Sequence, residues 1–427
     1  MTSKSSESSY EITETIKSIC FKARRAWFSL ANLPLDKRNE ILKLLAKKIQ
    51  QEKPVILAAN EKDLQLARKN KLTSAILDRL TLNDKRLESL LLSLEQIVAL
   101  PDPLGVILDK TVRPNGLEIS KISVPIGVIG MIYESRPNVT IDAAALTLKS
   151  GNAVILKGGK ESFYTNRSLA FCICETLKEL KLPEECVTLI PFKEREAVLE
   201  LLKQKDKVDL IIPRGGEGLI EFVTNHSQIP VIKHYKGICH VFIDKEADFK
   251  KAIHISLNAK VQRPGVCNAM ETLLVDREIA RDILPALISE YKKENVLLKG
   301  CEAARKIDPT LEAATEQDWK TEYLDKILSI RIVDSVQGAI EHIELYGSRH
   351  SDSIITENKT TASKFIQNVD SSAVFVNAST RFNDGFEFGL GAEMGISTDK
   401  LHARGPMGLK ELTTYKYVII GKGHIRE

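Results

Sequence analysis

From Val124 onward the chain alternates short apolar runs with helical stretches, and that rhythm limits the folds open to it more than any single motif. The order is Val128–Tyr133, Ala143–Leu148, Ala153–Lys157, a helix to Leu180, Val187–Pro191, a second helix and Val208–Ile212. Short strands joined by helices predict a parallel sheet covered on both faces, because a parallel neighbour is reached only by a long crossover. Sheets of this kind bind ligands at the carboxyl ends of their strands. A second unit of the same texture starts near Val241, with a strand at Thr272–Val275 and a helix at Arg277–Lys293.

The first hundred residues read differently. Ile12, Ile16, Ile19, Ala23, Ala26, Trp27 and Leu30 recur at helical spacing, and Ile41, Leu42, Leu44, Leu45 and Ile49 repeat the pattern after Pro34. Strand-like residues at Val106–Leu108 and Leu117–Ser123 then flank the turn signal Pro114-Asn115-Gly116, which predicts a β-hairpin able to project and pair with a second subunit.

With 427 residues the chain exceeds one ordinary core, so two or three domains are expected. Its 61 basic and 57 acidic residues leave a net charge of +4, too balanced for a partner that is nucleic acid or a membrane surface. A small molecule is the expected partner. The first ten residues include Lys4 and Glu7 and lack the apolar core of a signal peptide, so the cytoplasm is the expected compartment.

Seven cysteines, an odd count, argue against a disulfide framework. Cys20, Cys172, Cys174, Cys186, Cys239 and Cys301 sit in apolar or helical contexts and read as small buried hydrophobes, with no metal-ligand spacing and no metal expected. Cys267 differs. In Gln262-Arg263-Pro264-Gly265-Val266-Cys267-Asn268-Ala269 a thiol stands among turn-forming residues beside a guanidinium, a setting that favours the attacking thiolate. Cys267 is the candidate nucleophile.

No Gly-x-Gly-x-x-Gly follows a strand, so the usual dinucleotide fingerprint is missing. Two strands ending in glycine are alternative cofactor sites. After the first, Lys157 and Lys160 flank Gly158-Gly159 and present two ammonium groups to a phosphate, although a solvated loop tip explains the lysines as well. After the second, Gly215 and Gly216 open a helix whose free amides attract anions, although a tight turn explains the glycines as well.

These stretches resemble the aldehyde dehydrogenase superfamily, and within it the γ-glutamyl phosphate reductase family. The resemblance rests on Val124-Pro125-Ile126-Gly127-Val128-Ile129-Gly130-Met131-Ile132-Tyr133-Glu134-Ser135-Arg136-Pro137-Asn138-Val139-Thr140, on Ser150 to Glu161 and on the Cys267 segment. Tyr346-Gly347-Ser348, His350-Ser351-Asp352 and Asn377 to Gly385 are similar to segments of the reductases.

The resemblance implies an aldehyde dehydrogenase-like fold of two parallel-sheet α/β domains with an oligomerisation hairpin. Residues 1–105 and 124–237 would form the NADP-binding domain, 106–123 the hairpin and 238–400 the catalytic domain, with 401–427 returning to the cofactor domain and adding an oligomerisation strand at Tyr415–Ile420. It further implies that Cys267 attacks L-glutamyl 5-phosphate and expels phosphate. The resulting thioester would be reduced by NADPH to L-glutamate 5-semialdehyde, a step of proline biosynthesis.

By position, Lys157 and Lys160 would hold the adenosine ribose and its 2′-phosphate, and Glu322 the nicotinamide ribose. Asn138 and Arg136 lie where relatives supply an oxyanion donor, shaping of the turn around Pro137 being the alternative. Arg136, Arg263 and Arg381 are candidate substrate cations, structural ion pairs being the alternative. Hydrolytic relatives carry a water-activating glutamate where this chain reads Lys233-His234-Tyr235-Lys236-Gly237, with no carboxylate. His234 is either a base or structural. A homo-oligomer, and a separate glutamate 5-kinase as the source of the acyl phosphate, complete the expectation.

Overall fold

A computed structural model describes residues 2–426, apart from the side chains of residues 2–8 and Ala75. The chain forms two compact units, one of residues 1–233, 389–395 and 407–427, the other of 234–388 and 396–406.

The first unit opens with helices α1 (Thr2–Ala31), α2 (Leu35–Gln51), α3 (Lys53–Lys69), α4 (Ser74–Leu80) and α5 (Asp84–Ala99). Their apolar stripes are buried, with Ile16, Leu30, Leu42, Leu45 and Ile49 fully covered. Strands β1 (Ile107–Val112) and β2 (Glu118–Pro125) form the expected antiparallel hairpin, displaced and longer than the apolar residues alone indicate. Backbone pairing extends the strands over Asp109, Lys110 and Thr111, which a hydrophobicity pattern cannot register. The turn closes through Gly116 N donating to Arg113 O (2.8 Å), with Gly116 at φ +87°. The terminal strand Thr413–Ile420 pairs antiparallel with the other edge of β2.

The parallel sheet of this unit is built from β3 (Val128–Tyr133), α6 (Val139–Lys149), β4 (Ala153–Gly158), α7 (Phe163–Glu179), β5 (Val187–Leu189), α8 (Glu196–Leu202), β6 (Leu210–Arg214) and α9 (Glu217–His226). Its strand order is β5-β4-β3-β6. The chain steps outward from β3 to β5 and then returns to β6, so a topological switch point lies between β3 and β6.

The second unit contains β7 (Cys239–Ile243), α10 (Phe249–Val261), β8 (Met270–Asp276), α11 (Arg277–Lys293), β9 (Leu297–Gly300), α12 (Glu302–Ile307), β10 (Glu312–Ala313), β11 (Ile327–Val333), α13 (Val336–Tyr346), β12 (Ser351–Ile355), α14 (Lys359–Asn368) and β13 (Ala373–Val376). The seven strands are parallel in the order β10-β9-β11-β8-β7-β12-β13. One cluster, including Val241, Leu273, Ile283, Leu287 and Tyr291, packs α10 and α11 on the sheet; a second, including Phe242, Leu274, Ile343 and Phe365, packs α13 and α14 on it. Asp248 and Asp276 cap α10 and α11 by accepting from Lys251 N (2.8 Å) and Glu278 N (2.9 Å).

Among the described residues, no helix is long and apolar enough to cross a membrane.

Buried Asn152 ties the first unit's sheet to the returning chain. Its amide oxygen accepts from Gly127 N (2.8 Å) and its Nδ2 donates to Leu412 O (2.8 Å). Asn152→Ala strands both backbone groups, and the expected loss is about 2–4 kcal/mol, read as a lower urea midpoint. An unchanged midpoint would show that the tie carries no stability.

Candidate active site

Three adjacent strands, in the order β8-β7-β12, determine which residues meet. The loop entering β8 carries Cys267, β7 begins at Cys239 five residues after His234, and His350 immediately precedes β12. Register is fixed by buried Asp352, whose Oδ1 accepts from His240 N (2.9 Å) and lies 2.8 Å from His240 Nδ1. The cluster therefore gathers at the amino ends of these strands, not at the carboxyl ends where a parallel sheet ordinarily takes its ligand. The reason is local: α10 runs back to the amino edge before β8 begins, and the Cys267 loop is the turn made there.

At the centre, ligand atoms of His234, Cys267 and His350 lie within 4.8 Å of one another. The two imidazoles meet edge to face, with centroids 5.3 Å apart. His234 is anchored through Nδ1, 2.8 Å from Ile396 O, and His350 Nδ1 lies 2.8 Å from Ser351 Oγ. Burial opposes ionisation of the Cys267 thiol, but the His350 charge, hydrogen bonds from both imidazoles and the His234 charge outweigh it and hold the group well below the usual thiol range. Burial instead pushes Cys20 and Cys186 up to about 12 and Cys172 up to about 11. The two imidazoles thus set Cys267 apart from these buried thiols.

Gly237 brings His234 into range. A β-carbon there would stand 1.9 Å from the Cys267 carbonyl oxygen, so no other residue lets the two backbones approach this closely. Gly237 N donates to Glu322 Oε1 (2.9 Å), and Cys239 Sγ donates to the Cys267 carbonyl (3.2 Å). Burial, and then the neighbouring Cys267 charge, raise the Glu322 carboxyl. A carboxylate thus stands near the cysteine even though residues 233–237 supply none.

Arg381 reaches the same loop. Its Nε donates to Gln262 Oε1 (2.9 Å) and its Nη1 to Asn268 Oδ1, while Thr380 Oγ1 donates to Asn268 O (2.7 Å). Burial and the adjacent Arg263 charge lower Arg381. Arg263 is exposed.

The remaining predicted residues belong to the first unit. Lys157 is buried at the end of β4, its Nζ donating to Gly158 O (3.0 Å), with its ammonium lowered by burial. Lys160 is exposed on the turn that follows. Gly215 and Gly216 precede α9 as expected, but Gly216 N donates to Glu134 Oε2 (3.0 Å), so the chain's own carboxylate occupies one amide at that helix start. Asn138 donates to Asp142 Oδ2 (2.9 Å), and burial pushes Asp142 up to about 6. Arg136 is half-buried just before α6.

Sequence reasoning missed His350 and the thiol of Cys239. His350 stood inside a quoted motif, His350-Ser351-Asp352, without a role; no local signal links it to a cysteine eighty-odd positions earlier.

A family model described as the aldehyde dehydrogenase family matches residues 6–315. The chain belongs to the aldehyde dehydrogenase family. It is 55% identical over 406 residues to a gamma-glutamyl phosphate reductase of Nitratiruptor sp., covering 95% of this chain and 98% of the relative. The crystal structure of gamma-glutamyl phosphate reductase from Thermotoga maritima is 47% identical, with a TM-score of 0.94 over 96% of this chain and 100% of that one. A glyceraldehyde-3-phosphate dehydrogenase from Methanocaldococcus jannaschii, solved with NADP, shares the fold at 18% identity and a TM-score of 0.69, covering 96% of this chain and 95% of that one.

The depressed thiol gives a pH-dependent prediction. Iodoacetamide should label Cys267 with a midpoint well below the ordinary thiol value of about 8.5, and labelling should fail as pH falls through that midpoint and protonates the thiolate. His234→Ala and His350→Ala should each move the midpoint upward. A wild-type midpoint at the ordinary value, measured by peptide mapping across pH, would contradict the arrangement.

Proposed function

We propose that this chain catalyses the NADPH-dependent reduction of L-glutamyl 5-phosphate to L-glutamate 5-semialdehyde and phosphate, in proline biosynthesis. The observation that carries the reading is the Cys267 sulfur grouped with the His234 and His350 imidazoles, which favour its ionised form, in a chain more than half identical to a reductase of that name.

Cys267 Sγ attacks the acyl carbon, and the carbon–oxygen bond to phosphate breaks, leaving a thioester and free phosphate. Phosphate departs as a stable anion, so the step calls for thiolate and charge stabilisation more than a general acid. His234 and His350 supply the first. Arg263 and Arg381 meet the substrate's anionic groups, Arg381 while bracing the loop through Gln262 and Asn268.

NADPH, when bound, supplies the hydride that reduces the thioester carbon. Breaking the carbon–sulfur bond then releases the aldehyde and restores the thiolate, so no proton is consumed at the sulfur. The donor set fits this cofactor at Lys157 and Lys160, with a lysine ammonium at the end of β4 and a second, exposed one three residues later. Lys160 would favour a 2′-phosphate over bare ribose hydroxyls, and Glu322 would hold the nicotinamide ribose. Asn138 and Arg136 contribute oxyanion and substrate contacts once Asn138 is released from Asp142. A glutamate 5-kinase provides the acyl phosphate, and the hairpin of residues 106–123 and the strand Tyr415–Ile420 join subunits of a cytoplasmic homo-oligomer.

Purified protein given L-glutamate 5-semialdehyde and NADP should turn over, forming NADPH beyond about one equivalent per site, only when phosphate is present, should do so less well with NAD, and should lose the activity in Cys267→Ala. Phosphate-independent turnover would instead indicate a hydrolytic dehydrogenase. Folded protein that forms no NADPH under any condition would reject the reading.

A further inference from the structure

The catalytic loop is bracketed by two charges with no access to water. Lys260, at the end of α10, and Glu271, at the start of β8, stand seven residues before and four after Cys267; both side chains are fully buried, with Nζ 2.6 Å from Oε2. Burial raises the Glu271 carboxyl and lowers the Lys260 ammonium, each countered by the other. A buried pair of this kind adds little net stability over apolar residues of the same volume. Packing alone does not account for it.

Glu271 has a second contact. Its Oε1 accepts from Leu324 N (3.1 Å), and Leu324 is held at φ +54°, where a leucine persists only when its surroundings impose it. The Leu324 carbonyl oxygen lies 3.5 Å from the place a β-carbon would take on Gly265, in the Cys267 loop. Two residues earlier in the same segment, Glu322 accepts from Gly237 N, and Gly237 abuts the Cys267 carbonyl. The contacts close a ring: Lys260, Glu271, Leu324, Glu322, Gly237 and the Cys267 loop.

We propose that Glu271, braced by Lys260, is a positioning residue for the reaction: through the Leu324 amide it sets the Glu322 segment against Gly237, and so holds His234 beside Cys267. The inference rests on the reductase reading for its effect on turnover, but not for its effect on the thiol. Glu271 touches no reacting atom and acts only through backbone placement.

Two double variants separate positioning from packing. Lys260→Met/Glu271→Gln removes both charges but keeps an oxygen for Leu324 N, whereas Lys260→Met/Glu271→Leu removes the acceptor too. Thermal midpoint, iodoacetamide labelling of Cys267 and reductase turnover are read on both and on the wild type. The Gln variant should label and turn over within about threefold of wild type, and the Leu variant at least about tenfold more slowly at a similar midpoint, since misplacement by about 1 Å costs up to a hundredfold. Equal labelling in the two variants at similar midpoints would overturn the proposal, as would parallel loss of labelling and midpoint in both.

Should the Leu variant fail to fold, hydrogen exchange at the wild-type Leu324 amide decides: protection supports the strut, and exchange as fast as in exposed loops overturns it. Normal labelling behaviour without reductase turnover in the wild type would reject the reductase reading and leave the strut intact.

Discussion

The approach of the Gly237 backbone to the Cys267 carbonyl is the constraint on which the rest of the second unit depends. Two chain segments that close cannot tolerate even one methyl group between them. Once they meet, His234 comes within reach of the thiol, the Gly237 amide turns to Glu322, and Cys239 caps the cysteine carbonyl. Each contact uses a polar group that burial would otherwise leave costly. The electrostatic result follows, because a thiolate in a poorly solvated place is favoured by adjacent positive charge and by hydrogen bonds donated to it.

The fold supplies that meeting by strand adjacency. Cys267, Cys239 and His350 enter from three neighbouring strands spaced about 5 Å apart, and the Asp352–His240 contact prevents a slip that would carry His350 away. A slip of one residue would also turn His350 to the other face of the sheet. The chemistry is therefore built on loop residues placed where three neighbouring strands begin.

Much of this was legible in the chain. The β–α alternation from Val124 announced parallel sheets, and the Arg-Pro-Gly frame around Cys267 singled out one thiol among seven. Helix α11, over Arg277–Lys293, was readable to its ends because Asp276 caps it and Lys292 and Lys293 close it. Other features were not legible, for identifiable reasons. His350 depends on which strands become neighbours, and in the order β10-β9-β11-β8-β7-β12-β13 that information is non-local. The position of the cluster at the amino ends of the strands ran against the general rule for parallel sheets. Glu322 was recognised only by family position; that it accepts from Gly237 N requires the folded backbone. The carboxylate of Glu134 at the start of α9 was likewise hidden, since Glu134 and Gly216 meet only when β3 and β6 become partners.

The central claim is that Cys267 carries the substrate's acyl group. Protein mixed with L-glutamate 5-semialdehyde and NADP in the absence of phosphate, quenched in acid and mapped by peptide mass spectrometry, tests it directly. The account predicts a glutamyl thioester on the Cys267 peptide that disappears when phosphate is added before the quench. Acylation at a different residue, or turnover with no acyl group on Cys267 at any time, would contradict it.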